Sequence, residues 1–293
     1  MVRRFRSLVL LLGLGLGAIP ATLFAEALPP VYFNHVTIFI SPAAYDALRQ
    51  SSFLRNEFSG FQEHTVQRDG GKWSYTGIYI FGQHTYLEFF KAGQDQPHFG
   101  TTIAGQVVFN MWIDDRAQLP RFKERLAAEQ RATLLIDTAR DAKNQPMYDT
   151  VVSKGGPAGD FGPGMRVDTH LKGYYPDGLT REKRLEGVFR AQRQLHDMTG
   201  FTLTVDEAER NRLINQFRAY SYDIRADGAK QVVSGREITF TLVAAKSHEP
   251  RTMTIDFSMN RTTTGEQTYK LDDGGEIQIQ GSIGKWAFTF PNE

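Results

Sequence analysis

The sequence predicts an α+β protein built from β-α-β-β-β modules that repeat in tandem and form curved mixed sheets, with a C-terminal β-hairpin region. Three observations predict this class. Runs rich in β-branched and aromatic residues, bounded by Gly, Asp and Pro, read as strands. The pair Ser41-Pro42, an N-cap followed by proline at the first helical turn, starts a helix directly after the first of these runs. The same order of elements then returns near residues 106 and 200, a repeat signal despite low identity between the copies.

Residues 1–27 lie outside the fold. Arg3, Arg4 and Arg6 form a basic start, residues 8–16 an apolar stretch, and Ala25-Glu26-Ala27 a small-x-small cleavage signal. That is the pattern of a secretory signal peptide, so a periplasmic or secreted location is expected. No later stretch is long and apolar enough to be a second span.

The first module covers residues 28–100: a strand over 33–40, a helix over 42–58 and strands over 61–67, 75–81 and 85–90, with turns at Asp69-Gly70-Gly71 and Gly82-Gln83. The second, degenerate module covers 101–176. Its strands fall at 106–113, 133–138, 147–153 and 165–174, and Leu119, Phe122 and Leu126 mark one helix face. The glycine-rich stretch 155–164 lacks the Gly-Lys-Ser/Thr of a phosphate loop and reads as a solvent loop or a loop over a pocket mouth. A charged helical connector follows over 177–199. The third module covers 200–260, with Thr204 and Glu207 as a capping box and Met253 to Met259 as its last strand. The tail, 261–293, alternates like hairpins.

Composition narrows the function. The chain has no cysteine, which removes disulfides and thiolate chemistry. Its net charge is +1 with no basic stripe, so a nucleic-acid partner has no electrostatic support. No Gly-x-Ser-x-Gly elbow or His-Glu-x-x-His helix occurs. What stands out is a polar residue inside each of two apolar strands: His35 in Asn34-His35-Val36-Thr37-Ile38, and Glu88 in Tyr86-Leu87-Glu88-Phe89-Phe90. Buried ionisable groups are costly without a partner, so an imidazole and a carboxylate in one module point to a structural pair, an acid–base pair or half of a metal site. Alternation puts Thr37 and Phe39 on the face of His35. Trp73, Tyr75, Tyr79 and Trp112 are aromatic candidates for a cavity wall or for the core. His64 and His84, near strand ends, read as surface residues.

Tandem β-α-β-β-β modules carrying His35 on the first strand and Glu88 on the last resemble the vicinal oxygen chelate, or glyoxalase-like, superfamily, and within it an exported bacterial group without assigned function. The resemblance implies a cup between paired modules that holds one divalent metal ion on residues of the first and last strands. Carried over by alignment, the metal ligands become His35, Glu88, Gln106 and Asp256, with Glu88 also moving protons and Lys172 at a further ligand position. His170, on the second copy's last strand, and the strand aromatics Tyr79 and Trp112 join Lys172 as expected ligand-binding residues. The implied chemistry is Lewis-acid polarisation of a small molecule by a lyase, isomerase or oxygenase. The alternative is a metal-free module that binds or sequesters a small molecule, because Lys172 stands where a carboxylate ligand is expected and an ammonium beside Glu88 could replace the cation. A monomer or weak homodimer is expected.

Overall fold

The computed structural model describes residues 28–93, 95–96, 100–153, 166–175, 179–246 and 249–290. The expected signal peptide and the glycine-rich stretch 155–164 lie outside them. Four modules, not three, make up the fold. The first holds strands β1 (Tyr32–Ile40), β2 (Gly60–Arg68), β3 (Trp73–Phe81) and β4 (Tyr86–Lys91), with helix α1 (Pro42–Gln50) after β1. The second holds β5 (Val107–Ile113), α2 (Leu119–Gln130), β6 (Leu134–Arg140), β7 (Pro146–Ser153) and β8 (Val167–Tyr174). A short helix α3 (Arg181–Leu185) lies in the connector. The third module holds β9 (Leu195–Val205), α4 (Glu207–Ala219), β10 (Asp223–Asp227), β11 (Lys230–Ser234) and β12 (Thr239–Ala244). The fourth is β13 (Arg251–Met259), β14 (Glu266–Lys270), β15 (Glu276–Gln280) and β16 (Ile283–Phe290), with no α-helix.

Modules pair into two eight-stranded sheets of matching order, β2-β3-β4-β1-β5-β8-β7-β6 and β10-β11-β12-β9-β13-β16-β15-β14. In the first three modules the first and last strands run parallel, as β1 with β4, β5 with β8 and β9 with β12. In the fourth, β13 and β16 are antiparallel. A parallel return needs a crossover of a dozen or more residues. Only residues 260–265 separate β13 from β14, so the chain turns straight back and the later strands all reverse. The expected hairpin tail is therefore part of a module, and the strand carrying Asp256 opens that module instead of closing the third.

Local sequence explains the helix starts. Ser41 Oγ accepts from Ala44 N at 3.1 Å, with Pro42 at the first turn. The box expected at Thr204 and Glu207 sits two residues later: Asp206 and Glu209 cap each other because β9 runs on through Val205.

One face of each sheet turns toward the other and forms a shared core. Val36, Ile38, Leu87, Phe89 and Phe109 face Phe201, Phe240 and Trp286, with ring centroids 5.1 Å apart for Phe33–Phe201 and 4.9 Å for Phe109–Phe240. Each such buried ring contributes about 1.5–3 kcal/mol. The residues between them in sequence, including His35, Thr37, Glu88 and Asn110, point to the opposite, concave face of the first sheet. Among the described residues, no helix is long and apolar enough to cross a membrane.

Candidate functional site

Alternation along apolar strands carries polar side chains into the concave face of the first sheet, where they line a cavity of about 240 Å³. Its floor is a hydrogen-bonded chain across three neighbouring strands. Asn110 Nδ2 donates to Thr37 Oγ1 at 3.2 Å, and Thr37 Oγ1 donates to Glu88 Oε2 at 2.8 Å. Thr37 and Glu88 are partners in register between β1 and β4. His35 Nε2 lies 3.6 Å from the same Oε2, and the ring stacks on Tyr86 with centroids 4.2 Å apart.

The proton on His35 can be assigned from its neighbours. Arg184, which can only donate, bonds Asn34 Oδ1, and His35 Nδ1 lies 3.1 Å from that oxygen. Nδ1 therefore carries the proton, and Nε2 presents a lone pair to the cavity beside Glu88. Burial, followed by the charges of Lys172 and Arg184, holds this imidazole well below its usual range, so it is neutral at pH 7. His170, also on the cavity wall, is pushed down to about 4, chiefly by burial.

The remaining wall is cationic. Arg68 is buried at the end of β2; Nη2 donates to Tyr75 OH at 2.6 Å and Nη1 rests against Met147 Sδ. Arg184, from α3, donates to Tyr86 OH at 3.1 Å and lies over the Tyr174 ring at 4.4 Å. Lys172 Nζ lies 4.5 Å from the centre of the Tyr148 ring, and burial lowers its pKa. Among the described residues, none of these three cations makes a salt bridge. Thr150, across from Lys172 in the ladder, has a buried hydroxyl without a hydrogen-bond partner among the described residues. Asp69, Asp137 and Arg140 also line the cavity, the last two as exposed side chains.

The structure brings together His35, Glu88, His170 and Lys172 of the residues singled out from sequence. Trp73 and Tyr75 line the cavity too. Tyr79 and Trp112 do not: Tyr79 packs with Phe81, Tyr86 and Leu185, and Trp112 stands behind Tyr174 at 4.4 Å with its indole N–H on Asp114. Gln106 is not a cup residue. It precedes β5, and its Oε1 accepts from Ile103 N at 2.9 Å. Counting back from the strand ends Ile40 and Ile113, the counterpart of His35 is Val108, an apolar side chain, and that of Thr37 is Asn110. His170, the register partner of Asn110, then matches Glu88. Asp256 lies on the second sheet, 3.7 Å from Lys285. His64 is exposed, whereas His84 is half-buried against Asp197.

The implied divalent ion does not fit this donor set. Its counterpart positions supply one carboxylate, two imidazoles and a valine, and Lys172, Arg68 and Arg184 share the cavity with them. These three cations would repel a dication, and Glu88 is the one carboxylate among the counterpart positions. Among the described residues, no cluster of three or more His, Cys, Asp or Glu side chains could hold a metal.

Comparison with known proteins gives a family and is silent on chemistry. One family model, described as "Family of unknown function (DUF5829)", matches residues 33–288. No curated protein matches. A solved hypothetical protein from Staphylococcus aureus is 12% identical over 88% of this chain and 98% of its own, with a TM-score of 0.49. A xylose isomerase-like TIM barrel/4-hydroxyphenylpyruvate dioxygenase fusion protein is 10% identical, with 78% and 34% covered and a TM-score of 0.41. A mutant 4-hydroxymandelate synthase from Streptomyces coelicolor is 12% identical, with 73% and 63% covered and a TM-score of 0.37. With TM-scores under 0.5, none of these likenesses bears on what the cup does.

Proposed function

The chain belongs to that family of unknown function, and we propose that it is an exported small-molecule binding protein whose ligand occupies the cup of the first sheet without a metal ion. One observation carries the reading: Lys172 shares the wall of one cavity with His35 and Glu88. The cavity is at the small end of ligand sites, which suits a compact metabolite. Polar groups held in place by second contacts, such as Thr37 between Asn110 and Glu88, cost little to reorganise when a ligand arrives. The basic, then apolar, then small-residue start of the chain supports export to the periplasm or beyond.

Two measurements test this. Metal analysis of protein purified without chelators should find no stoichiometric Zn, Fe, Mn or Ni in folded material. A thermal-shift screen of small metabolites should find stabilising compounds whose effect disappears in Thr37→Val and Glu88→Gln. Stoichiometric metal lost together in His35→Ala and Glu88→Ala would overturn the reading.

A catalytic reading has one specific observation behind it, the bare Nε2 of a neutral His35 at 3.6 Å from a carboxylate. Such a pair can take a proton from a bound molecule. Under that reading Glu88→Gln abolishes turnover of the bound compound while leaving its affinity largely intact.

A further inference from the structure

Resting on the cup as a binding site, the geometry points to its ligand class: we propose a small molecule bearing an oxyanion group, a carboxylate or a phosphate, held by Arg68, Lys172 and Arg184. Each of the three is positioned by neutral partners, tyrosine hydroxyls, aromatic rings or an amide oxygen. Among the described residues no carboxylate makes a salt bridge with any of them, and Glu88 favours their charged forms only from across the cavity. Like charges gathered on largely buried side chains destabilise one another, and a protein retains such an arrangement where an anion relieves it.

The partners leave the charges available. Tyr75 takes one end of the Arg68 guanidinium, and the Tyr148 ring lies beneath Lys172 instead of a counter-ion. The Tyr174 ring lies against Arg184 in the same way. Thr150 adds an unpartnered hydroxyl opposite Lys172, a further donor for an oxyanion oxygen. Glu88 stands on the floor beside His35 and repels an anion, so it directs the charged end of the ligand toward the cations. Asp137 and Arg140 sit exposed at the edge, where water screens them. An anion among these groups would also stabilise the protonated forms of Lys172 and His170, whose affinities for protons burial lowers.

Calorimetric titration of the intact protein at constant ionic strength tests the proposal, with inorganic phosphate, succinate and uncharged succinamide as probes. Phosphate or succinate is expected to bind and raise the melting temperature, and succinamide is expected to do neither. Lys172→Met and Arg68→Met should each weaken anion binding about tenfold or more, the scale of one lost charged hydrogen bond. Lys172→Met should also melt higher than the parent when no ligand is present, because a repelling charge is gone. Should a variant fail to fold, the parent protein still reports: succinate should raise the midpoint of the His170 NMR titration from about 4. Preference for phosphate or for succinate separates the two oxyanion chemistries within the proposal. Equal binding of succinamide and succinate overturns the oxyanion claim but leaves the cup a binding site. Anion binding that both variants retain overturns it as well. Stoichiometric metal with no anion binding overturns this inference and the metal-free reading together.

Discussion

Glu88 Oε2 is held by a hydroxyl that is itself held by an amide, and each step of that chain sets the next. Thr37→Val keeps the shape of the side chain but removes the donor to Glu88 and the acceptor for Asn110. A buried carboxylate then loses a partner, and urea denaturation should show a loss of about 1–3 kcal/mol. A loss well under this would mean water already satisfies Glu88. The imidazoles give a pH dependence whose sign is fixed. His170 titrates near 4 in the folded protein against 6.5 in the unfolded chain, and His35 is lowered as well. As pH falls through 6.5 the unfolded chain takes up protons that the folded one refuses, so stability declines from there toward pH 4. His84 works in the opposite direction. Its bond to Asp197 raises its pKa, so its contribution is complete below its unfolded value and is lost as pH rises through the raised one. Melting temperatures across this range should fall on the acid side, and His170→Asn should flatten that fall. A profile unchanged by His170→Asn would remove His170 from the account. His35 and Glu88 were legible in the sequence because each interrupts an apolar strand, and Asn110 carries the same signal within Val107–Ile113. Arg68 and Arg184 were not legible: one adjoins a turn and the other lies in a charged connector, settings in which an arginine normally faces water.

At the scale of elements, the turn between β3 and β4 is tied to the second sheet by a carboxylate that gathers several donors, beside a bond from Gln83 N to the His196 carbonyl at 2.8 Å. Asp197 accepts from the backbone N–H groups of His84 and Thr85 at 3.1 Å each, from the Thr85 hydroxyl, and from Met198 N. Asp197→Ala removes these acceptors together and should cost about 2–3 kcal/mol, read from the denaturation midpoint. Asp197→Asn keeps one acceptor oxygen and should cost less. Comparable losses for the two would show that charge is the whole effect. In the fourth module the turn between β14 and β15 depends on Gly275, at φ +88, where an added Cβ would lie 2.2 Å from the carbonyl oxygen of Ala287. This close approach is open to glycine alone. The module itself escaped sequence reading for a related reason. Without a helix between β13 and β14 its strands alternate like any hairpin, so nothing in the spacing marks a module. The first module was legible because Ser41-Pro42 and its turn glycines punctuate every element.

For the whole molecule, the decisive fact is that both sheets bury the same core. Phe33 and Phe109 of the first sheet meet Phe201 and Phe240 of the second, and Phe89 meets Trp286 at 5.4 Å. Helices α2 and α4, from modules on different sheets, also pack together. Neither sheet can open without exposing the inner face of the other, so the pair should unfold in one transition. Tryptophans report this directly. Trp73 and Trp112 belong to the first sheet and Trp286 to the second, and the sequence contains three in all. In variants retaining either Trp112 or Trp286 alone, urea transitions followed by fluorescence should coincide with each other and with the loss of circular dichroism. Phe240→Ala, which cuts a ring at the centre of the shared core, should lower stability by about 3–5 kcal/mol and shift both reporters equally. If Trp286 instead melted first while Trp112 and the cup persisted, the second sheet would be an independent unit. The core would then lie within each sheet's own modules instead of between the sheets.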